Sequence, residues 1–445
     1  MKLKNSKYIG LVVLLFAILF LGACSKTEFI PDPEGAKVPF QPNATQNVEQ
    51  LLAASPAKLF YSAWQKSTVK TLLETKGNKV VYTVLAPSDE AMQSFGITAN
   101  AIAQMSVQEA DELVLFYVAV GIIKPEELTL RRDNFLMKTL LQRPGLYVNF
   151  YESDLPGRQN DPYFFRHYLA VNENRLLVNG KNVGNLNYLP ALNGGIYLID
   201  KMVAKPTQTV LEALPADGRF NMFLAALKAT DDYYIEKIAT DIEPLFGYKP
   251  EAEEVIEAYA YTRSFYFKDL GIRPAGSPGA ENPNITLTTI FAPTDEAFHK
   301  AGFQTLADIQ AFNISRSSVV FSDITYSAEG SLPMDTIFSY HRDFGRMFQP
   351  VTTGGDKTTA NSTVFYSNVL NPTLNEYFVS AGGNPSIEYA FKMPLAFATS
   401  GNSVQLKVKE SDYRPATVVE GDINTLNGPI HVVNELLIPK GFKLK

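Results

Sequence analysis

Apolar residues recur with helical spacing near the start of each half of the chain. In the second half, four of them occupy positions i, i+3, i+4 and i+7, on one face of a helix: Phe220, Phe223, Leu224 and Leu227. In the first half, a similar set occurs at a comparable point: Leu59, Phe60, Ala63 and Trp64. The pattern predicts that each half begins with a helix that buries one face.

A β-branched and apolar segment then predicts a strand that leads into a helix. Residues 80–86 form this segment, and Pro87 ends it because proline has no N–H to donate to a strand ladder. Ser88 belongs to the residue types that cap helices. Asp89 and Glu90 place negative charge in the first turn, where the helix dipole favours it. This strand-to-helix connection, called the joint below, is explained by its structural role alone. Nothing in it requires a catalytic function.

The joint occurs twice, and so does a second phrase. Residues 83–92 return as residues 289–298, with six identical positions and four conservative exchanges. Residues 192–200 return as residues 426–434, in the same order along the chain. The chain is therefore interpreted as a tandem duplication of one domain. Each copy is long enough to carry its own core.

The second phrase predicts a hairpin in each half. It contains Asn-Gly at residues 193–194 and again at 427–428, and this dipeptide permits left-handed turn conformations before an alternating strand. In the first half, residues 176–183 are expected to form a preceding strand that carries another Asn-Gly. Pro206 and Pro439 are expected to close the two domains.

The N-terminus has the pattern of a secretory signal. Lysines at positions 2, 4 and 7 precede an apolar run over residues 9–21, which is short for a membrane span. Cys24, the only cysteine, follows Leu-Gly-Ala and resembles the lipidated residue of bacterial lipoproteins. Several acyl chains on Cys24 would anchor the protein stably. The alternative is an ordinary signal peptide with an incidental cysteine. Ser25, where an aspartate would favour the inner membrane, points to the outer membrane.

Composition describes a globular chain behind this leader. Residues 24–46 hold four prolines and few large apolar residues, so they are expected to form an extended tether. The chain is 46% hydrophobic and 19% charged, as in ordinary globular proteins. Removing the three leader lysines from the 40 basic residues leaves 37 against 46 acidic ones, a balance near −9. This balance argues against nucleic acid as a partner and against electrostatic docking on anionic lipid.

The two phrases, each present twice and in this order, resemble the fasciclin (FAS1) domain family. The resemblance implies an α+β fold of two tandem fasciclin-like domains, each a β-sandwich or wedge with helices packed along one edge. Together with the N-terminal patterns, it predicts a signal peptide at 1–23, the tether at 24–46, a first domain at 47–206 and a second domain with insertions at 207–441. With Cys24, the chain resembles a tandem fasciclin-domain lipoprotein of the Bacteroides type. The family implies adhesion or matrix-type binding outside the cytoplasm.

The resemblance also marks candidate ligand-binding residues. Between the two phrases the family carries a Tyr-His pair linked with adhesion, and the second half has it as Tyr340 and His341. The first half reads Phe-Tyr-Val at residues 116–118, so Tyr117 is set against Tyr340 and the histidine is lost. The alternative for His341 is a buried structural histidine with satisfied hydrogen bonds, which is the commoner case.

Aromatic residues in longer segments supply a second set of candidates. Tyr163 and Phe164 lie in a tyrosine- and phenylalanine-rich stretch that is flanked by proline and glycine. Exposed aromatic rings suit sugar rings and protein hot spots, so both residues are candidate ligand contacts. The alternative is that these rings pack in the core.

Catalytic patterns are missing from the sequence. Cys24 is used by the lipid, and the four histidines have no zinc-binding spacing, so neither a thiol nucleophile nor a metal or other cofactor is expected. There is no Gly-x-Ser-x-Gly elbow and no Walker loop. Acidic pairs such as Asp231-Asp232 and Glu253-Glu254 fit a glycosidase in principle, but adjacent acids on a helix usually face solvent.

These observations predict a non-catalytic, lipid-anchored protein of the bacterial cell envelope, at the outer membrane. Its expected partners are the membrane, through the lipid, and a protein or glycan ligand; nucleic acid is not among them. One alternative is an accessory glycan-binding lipoprotein of an outer-membrane polysaccharide-uptake system. A second alternative is a glycosidase-type enzyme.

Overall fold

The computed structural model describes the chain from residue 44 to residue 444 with ten gaps. The described ranges are 44–76, 80–131, 133–148, 161–259, 270–275, 282–325, 327–342, 364–376, 378–384, 387–401 and 403–444. The signal peptide, Cys24 and nearly all of the tether therefore lie outside the described residues.

The first half is a helical layer beside a sheet. Its helices are α1 (Val48–Ala54), α2 (Lys58–Lys66), α3 (Val69–Lys76), α4 (Asp89–Ser94), α5 (Ala99–Gln104), α6 (Val107–Leu115) and α7 (Pro125–Thr129). Its strands are β1 (Tyr82–Pro87), β2 (Val118–Val120), β3 (Phe135–Val148), β4 (Asp161–Asn172), β5 (Arg175–Val178), β6 (Lys181–Asn185), β7 (Tyr188–Ala191) and β8 (Gly194–Ile199). They form a sheet in the order β6-β5-β4-β3-β2-β1-β8-β7.

The second half also combines helices with a sheet, and it contains the longest helix, Asn221–Phe246, among the described residues. Its helices are α8 (Val210–Asp217), α9 (Asn221–Phe246), α10 (Ala252–Tyr259), α11 (Asp295–Lys300), α12 (Leu306–Ser315) and α13 (Pro333–Arg342), with 3-10 turns at Ser367–Val369 and Pro372–Glu376. Its strands are β9 (Asn284–Ile285), β10 (Ile290–Pro293), β11 (Val320–Ser322), β12 (Ser327–Glu329), β13 (Phe378–Asn384), β14 (Ile387–Lys392), β15 (Leu395–Ser400), β16 (Ser403–Val408), β17 (Ala416–Thr425) and β18 (Gly428–Val433). Five of them form a sheet in the order β10-β18-β17-β16-β15.

Both halves are built on the same strand pair, which confirms the predicted α+β fold and the internal repeat. In the first half β1 pairs with β8 in parallel, with Val84 opposite Ile196. In the second half β10 pairs with β18 in parallel, with Ile290 opposite Ile430. The predicted amphipathic helices are α2 and α9, and both bury the apolar faces identified in the sequence.

The first repeated phrase forms the predicted joint of strand and helix. The Ser88 hydroxyl accepts a hydrogen bond from Ala91 N–H at 3.2 Å, and the Thr294 hydroxyl accepts one from Ala297 N–H at 3.3 Å. Each hydroxyl satisfies one of the free N–H groups at a helix start. The predicted caps of α4 and α11 are therefore confirmed.

The aspartate of that phrase has a partner that the sequence did not indicate. The Asp89 carboxylate accepts a hydrogen bond from Leu59 N–H at 2.7 Å, and the Asp295 carboxylate accepts one from Met222 N–H at 2.7 Å. These N–H groups lie in the first turns of α2 and α9. The phrase thus caps two helices at once, and each cap contributes about 1 kcal/mol.

The second repeated phrase forms the predicted hairpin, and its asparagine holds the first helix of each half. The Asn193 side chain accepts a hydrogen bond from Val48 N–H at 2.8 Å, and the Asn427 side chain accepts one from Val210 N–H at 3.1 Å. In each hairpin the two turn residues are Leu-Asn, and glycine is the first residue of the returning strand. The turn therefore lies one residue earlier than a central Asn-Gly would place it.

The single strand expected over residues 176–183 is instead a second hairpin. Asn179 and Gly180 have φ of 52° and 77°, so both adopt the left-handed conformation that a two-residue turn between antiparallel strands requires. The turn joins β5 to β6. The prediction of one continuous strand was wrong because the Asn-Gly reverses the chain.

The core of the first half extends into the second half. Its buried cluster includes five residues from beyond residue 206: Ile285, Leu287, Val364, Tyr366 and Leu426. Strand β9 also pairs with β3, so a strand of the second half joins the sheet of the first. Residues 45–445 form one compact unit. The two repeats are therefore packed on each other, and the expected domain limits at 47–206 and 207–441 stay a prediction.

Candidate functional site

His341 lies in the last turn of α13 and is fully buried. Its Nδ1–H donates to the Phe291 carbonyl oxygen at 2.7 Å, and its Nε2 accepts from Leu437 N–H at 2.9 Å. Burial lowers the pKa of His341 to about 4, although the hydrogen bond to Phe291 opposes this shift. The neutral ring therefore ties β10 to the segment after β18, as in the structural alternative for this residue.

Tyr117 makes the bond to the equivalent segment in the first half. Its hydroxyl donates to the Val203 carbonyl oxygen at 2.9 Å and accepts from Val203 N–H at 3.0 Å. Val203 and Leu437 are equivalent positions, because each follows by seven residues an isoleucine that pairs with the central strand. Tyr117 is thus the counterpart of His341, and the alignment of Tyr117 with Tyr340 is corrected.

Tyr340 is the half-exposed member of the Tyr-His pair. Its ring packs against the buried cluster that β15, β16 and the 3-10 turns form. Partial burial raises the pKa of its phenol. Of the pair, Tyr340 therefore offers surface to a ligand, whereas His341 offers none.

Tyr163 is buried between the two halves. Its hydroxyl donates to the Leu426 carbonyl oxygen at 3.2 Å, and only 3% of the residue is exposed. Burial raises the pKa of Tyr163 to about 12. Nearby, Tyr168 and Tyr366 bring rings from the two halves to 5.2 Å between centroids. A ligand could reach Tyr163 only if the two halves separated. The position of Tyr163 therefore agrees with the alternative that this ring packs in the core.

Phe164 is placed differently on the same strand. Its ring is half-buried, and the Lys138 ammonium lies 5.2 Å from its centroid. Successive side chains of a strand point to opposite faces, so Phe164 faces away from the interface that holds Tyr163. Among the predicted ligand contacts, Phe164 and Tyr340 are therefore the two with accessible rings, and their roles stay predictions.

The Tyr163→Phe substitution should weaken the protein modestly. It removes the hydroxyl that satisfies the Leu426 carbonyl while keeping the ring, so we expect a loss of about 1 kcal/mol in the free energy of unfolding. Urea denaturation of the full chain measures this loss. Tyr340→Phe is the matched control, with an expected change within about 0.5 kcal/mol. Equal stability of Tyr163→Phe and the unaltered chain would contradict the assigned interface role.

The acidic pairs do not form a catalytic arrangement. Asp231 is buried in α9, while Asp232 pairs with Lys228 at 2.5 Å on the exposed face of that helix. Glu253 and Glu254 are both exposed at the start of α10. Within the described ranges, no group of three or more His, Cys, Asp or Glu residues is placed to hold a metal ion.

A basic pocket on the second half was not indicated by the sequence. It has a volume of about 380 Å³. Its lining combines two cationic side chains with hydroxyls and one aromatic ring: Arg316, Ser318, Ser331, Pro333, Thr336, Gly441, Phe442 and Lys443. Arg316 and Lys443 lie 127 positions apart in sequence, so no local pattern could have paired them.

The described helices provide no membrane crossing: none of them combines the length and the apolar character that a span requires.

Comparison with known proteins supports the sequence resemblance. Residues 55–205 match the family model of the fasciclin domain. No curated protein matches the chain. Among solved structures, the chain is similar to a FAS1 domain pair from the insect cell adhesion molecule Fasciclin I, with 13% sequence identity and a TM-score of 0.26. That likeness covers 87% of this chain and 98% of the other. The family assignment accordingly rests on the match over residues 55–205.

Proposed function

We propose that this chain, which carries a fasciclin domain over residues 55–205, is a lipid-anchored binding protein of the bacterial cell envelope. Fasciclin domains are generally non-enzymatic adhesion domains, which supports a binding role over catalysis. The observation that carries the proposal is that the candidate reactive side chains serve as buried structural hydrogen-bond partners. His341, Tyr117 and Tyr163 each have their polar atoms bonded to backbone groups and buried.

The ligand in this proposal is a protein or glycan that contacts the surface through side chains such as Tyr340. Adhesion predicts that the protein binds host matrix or partner cells and depends on the second half. An accessory role in polysaccharide uptake is a second candidate, favoured by the accessible ring of Phe164 beside Lys138. An accessible aromatic ring suits the apolar face of a sugar. A polysaccharide pull-down with Phe164→Ala distinguishes the two, because only the accessory role requires binding that this variant loses.

The lipid anchor provides the sharpest test of the proposed localisation. Cys24→Ala removes the only thiol that can carry acyl chains, so the protein should move from the membrane fraction to the soluble fraction of the envelope. Fractionation of bacteria that express the full chain, followed by immunoblotting, measures the change.

Ser25→Ala serves as the control, because it alters the neighbouring residue and keeps the thiol. It should remain in the membrane fraction. Retention of Cys24→Ala at the membrane, to the same extent as Ser25→Ala, would overturn the anchor.

A further inference from the structure

The basic pocket lies where three segments of the second half meet. The residue that ends α12, the first turn of α13 and the C-terminal segment contribute Arg316, Thr336 and Lys443 respectively. Two of the residues that line it are cationic and none is acidic. This contrasts with the protein as a whole, whose balance of charge is negative.

Arg316 is held in a fixed position. Its guanidinium carbon lies 5.2 Å from the Phe312 centroid, and its Nη1 donates to the Lys443 carbonyl oxygen. Phe312 in turn packs edge-on against Phe442, with 6.1 Å between centroids. A cation held in this way loses little side-chain freedom when an anion binds, which favours binding.

The opposite wall of the pocket is equally constrained. The Ser318 hydroxyl donates to the Ser331 carbonyl at 3.1 Å and accepts from Ser331 N–H at 3.0 Å. Gly330 has φ of 84°, and an added Cβ there would lie 2.0 Å from the Ser318 carbonyl oxygen. Only glycine therefore permits the two segments to approach this closely.

The two cationic side chains of the pocket are not neutralised by a carboxylate. Lys440, three residues before Lys443, pairs with Glu410 at 2.9 Å. Within the described part of the chain, neither Arg316 nor Lys443 has a carboxylate partner within 4.0 Å. Two adjacent cations without acidic partners, on an acidic protein, form a local site for a negative group.

We infer that this pocket binds a carboxylate of an acidic saccharide. The inference rests on the proposed binding function and names the ligand class for one of its surfaces. The Arg316 guanidinium suits a planar carboxylate, which it can bind through two parallel hydrogen bonds. The Thr336 hydroxyl and the Phe442 ring suit the hydroxyls and the apolar face of the attached sugar. A polyglutamate peptide would use the cations but offers no apolar ring face to Phe442.

Calorimetric titration of the full chain in non-ionic detergent tests the inference with three probes. Tetragalacturonate carries the carboxylates on sugar rings, its methyl ester keeps the rings without charge, and tetraglutamate keeps the charge without rings. The acidic saccharide should bind about tenfold more tightly than either of the others. Lys443→Gln should weaken its binding about tenfold, and Arg316→Gln at least as much. Lys440→Gln should leave it unchanged.

Lys443→Gln keeps the result interpretable if Arg316→Gln fails to fold, because the exposed Lys443 side chain has no structural partner among the described residues. Equal binding of the acid and its ester, equal binding by Lys443→Gln, or tighter binding of tetraglutamate would each overturn the inference. Binding of none of the probes would overturn it as well. Those outcomes leave the anchored binding role intact, since the fractionation of Cys24→Ala tests that role separately.

Discussion

The protein should lose stability steeply as the pH falls from about 6.5 to about 4, because histidine in an unfolded chain has a pKa of about 6.5. Burial lowers the pKa of His167 and of His341 to about 4, and it lowers the pKa of His431 as well. Between these pH values the unfolded chain binds more protons than the folded chain, so acid favours unfolding. The stabilising contribution of the neutral rings is complete above pH 6.5 and is lost as the pH falls through 4.

The geometry of His341 explains why the folded state resists protonation. Its Nε2 accepts a hydrogen bond from Leu437 N–H. A proton on Nε2 would replace this hydrogen bond with an unfavourable contact between two N–H donors. A shift from about 6.5 to about 4 corresponds to a little over 3 kcal/mol, so His167 and His341 together amount to about 6–7 kcal/mol. This is comparable to the whole stability of a typical domain.

Urea denaturation at a series of pH values between 7.5 and 4.5 measures this effect. His341→Gln keeps a donor and an acceptor but does not titrate, so it should be less stable at pH 7.5 and show a shallower fall towards pH 4.5. A stability that is flat down to pH 4.5 would contradict the neutral buried state of these rings.

The Gly428→Ala substitution should be among the most destabilising single changes in the second half. Gly428 has φ of 130°, and an added Cβ would lie 2.1 Å from the Thr288 carbonyl oxygen. That oxygen belongs to the backbone, so no side chain can move to relieve the contact. We expect a loss of more than about 3 kcal/mol, since a strained backbone and an overpacked core contact each cost about 1–3 kcal/mol.

A second glycine distinguishes the cost of the steric contact from the cost of the positive-φ backbone conformation. Gly247 also has a positive φ, 75°, but an added Cβ there meets nothing within 4 Å. Gly247→Ala should therefore cost only about 1 kcal/mol, which is the conformational part alone. Gly194→Ala should behave like Gly428→Ala, because its Cβ would lie 2.1 Å from the Tyr82 carbonyl oxygen. Denaturation midpoints for the three variants test the comparison, and similar losses in all three would refute it.

The features that the sequence predicted correctly are those that depend on residues close together in the chain. The caps at Ser88 and Thr294 and the hairpins of the second phrase follow from residues within a few positions of each other, and the structure confirms them. The bond from Asp295 to Met222 joins residues 73 positions apart, so no local pattern indicates it.

The candidate site was harder to predict, for two physical reasons. Tyr117 and His341 accept backbone N–H groups at equivalent positions, Val203 and Leu437, but with different chemical groups, so an alignment by residue type places Tyr117 against the wrong partner. Tyr163 is covered by the second half of the chain, through a contact across 263 positions. Aromatic composition alone does not distinguish such a covered ring from one that faces solvent, as Phe164 partly does.

The shared core of the two repeats affects how the protein withstands proteases. With only one cysteine, the chain cannot form an internal disulfide to hold an opened segment in place. Proteases cut chains mainly when a region opens, and the free energy of that opening sets the rate. Because the core of the first half includes Leu426 and Tyr366, neither repeat can open fully without exposing part of the other. Cleavage within the shared core therefore requires opening that costs energy in both repeats.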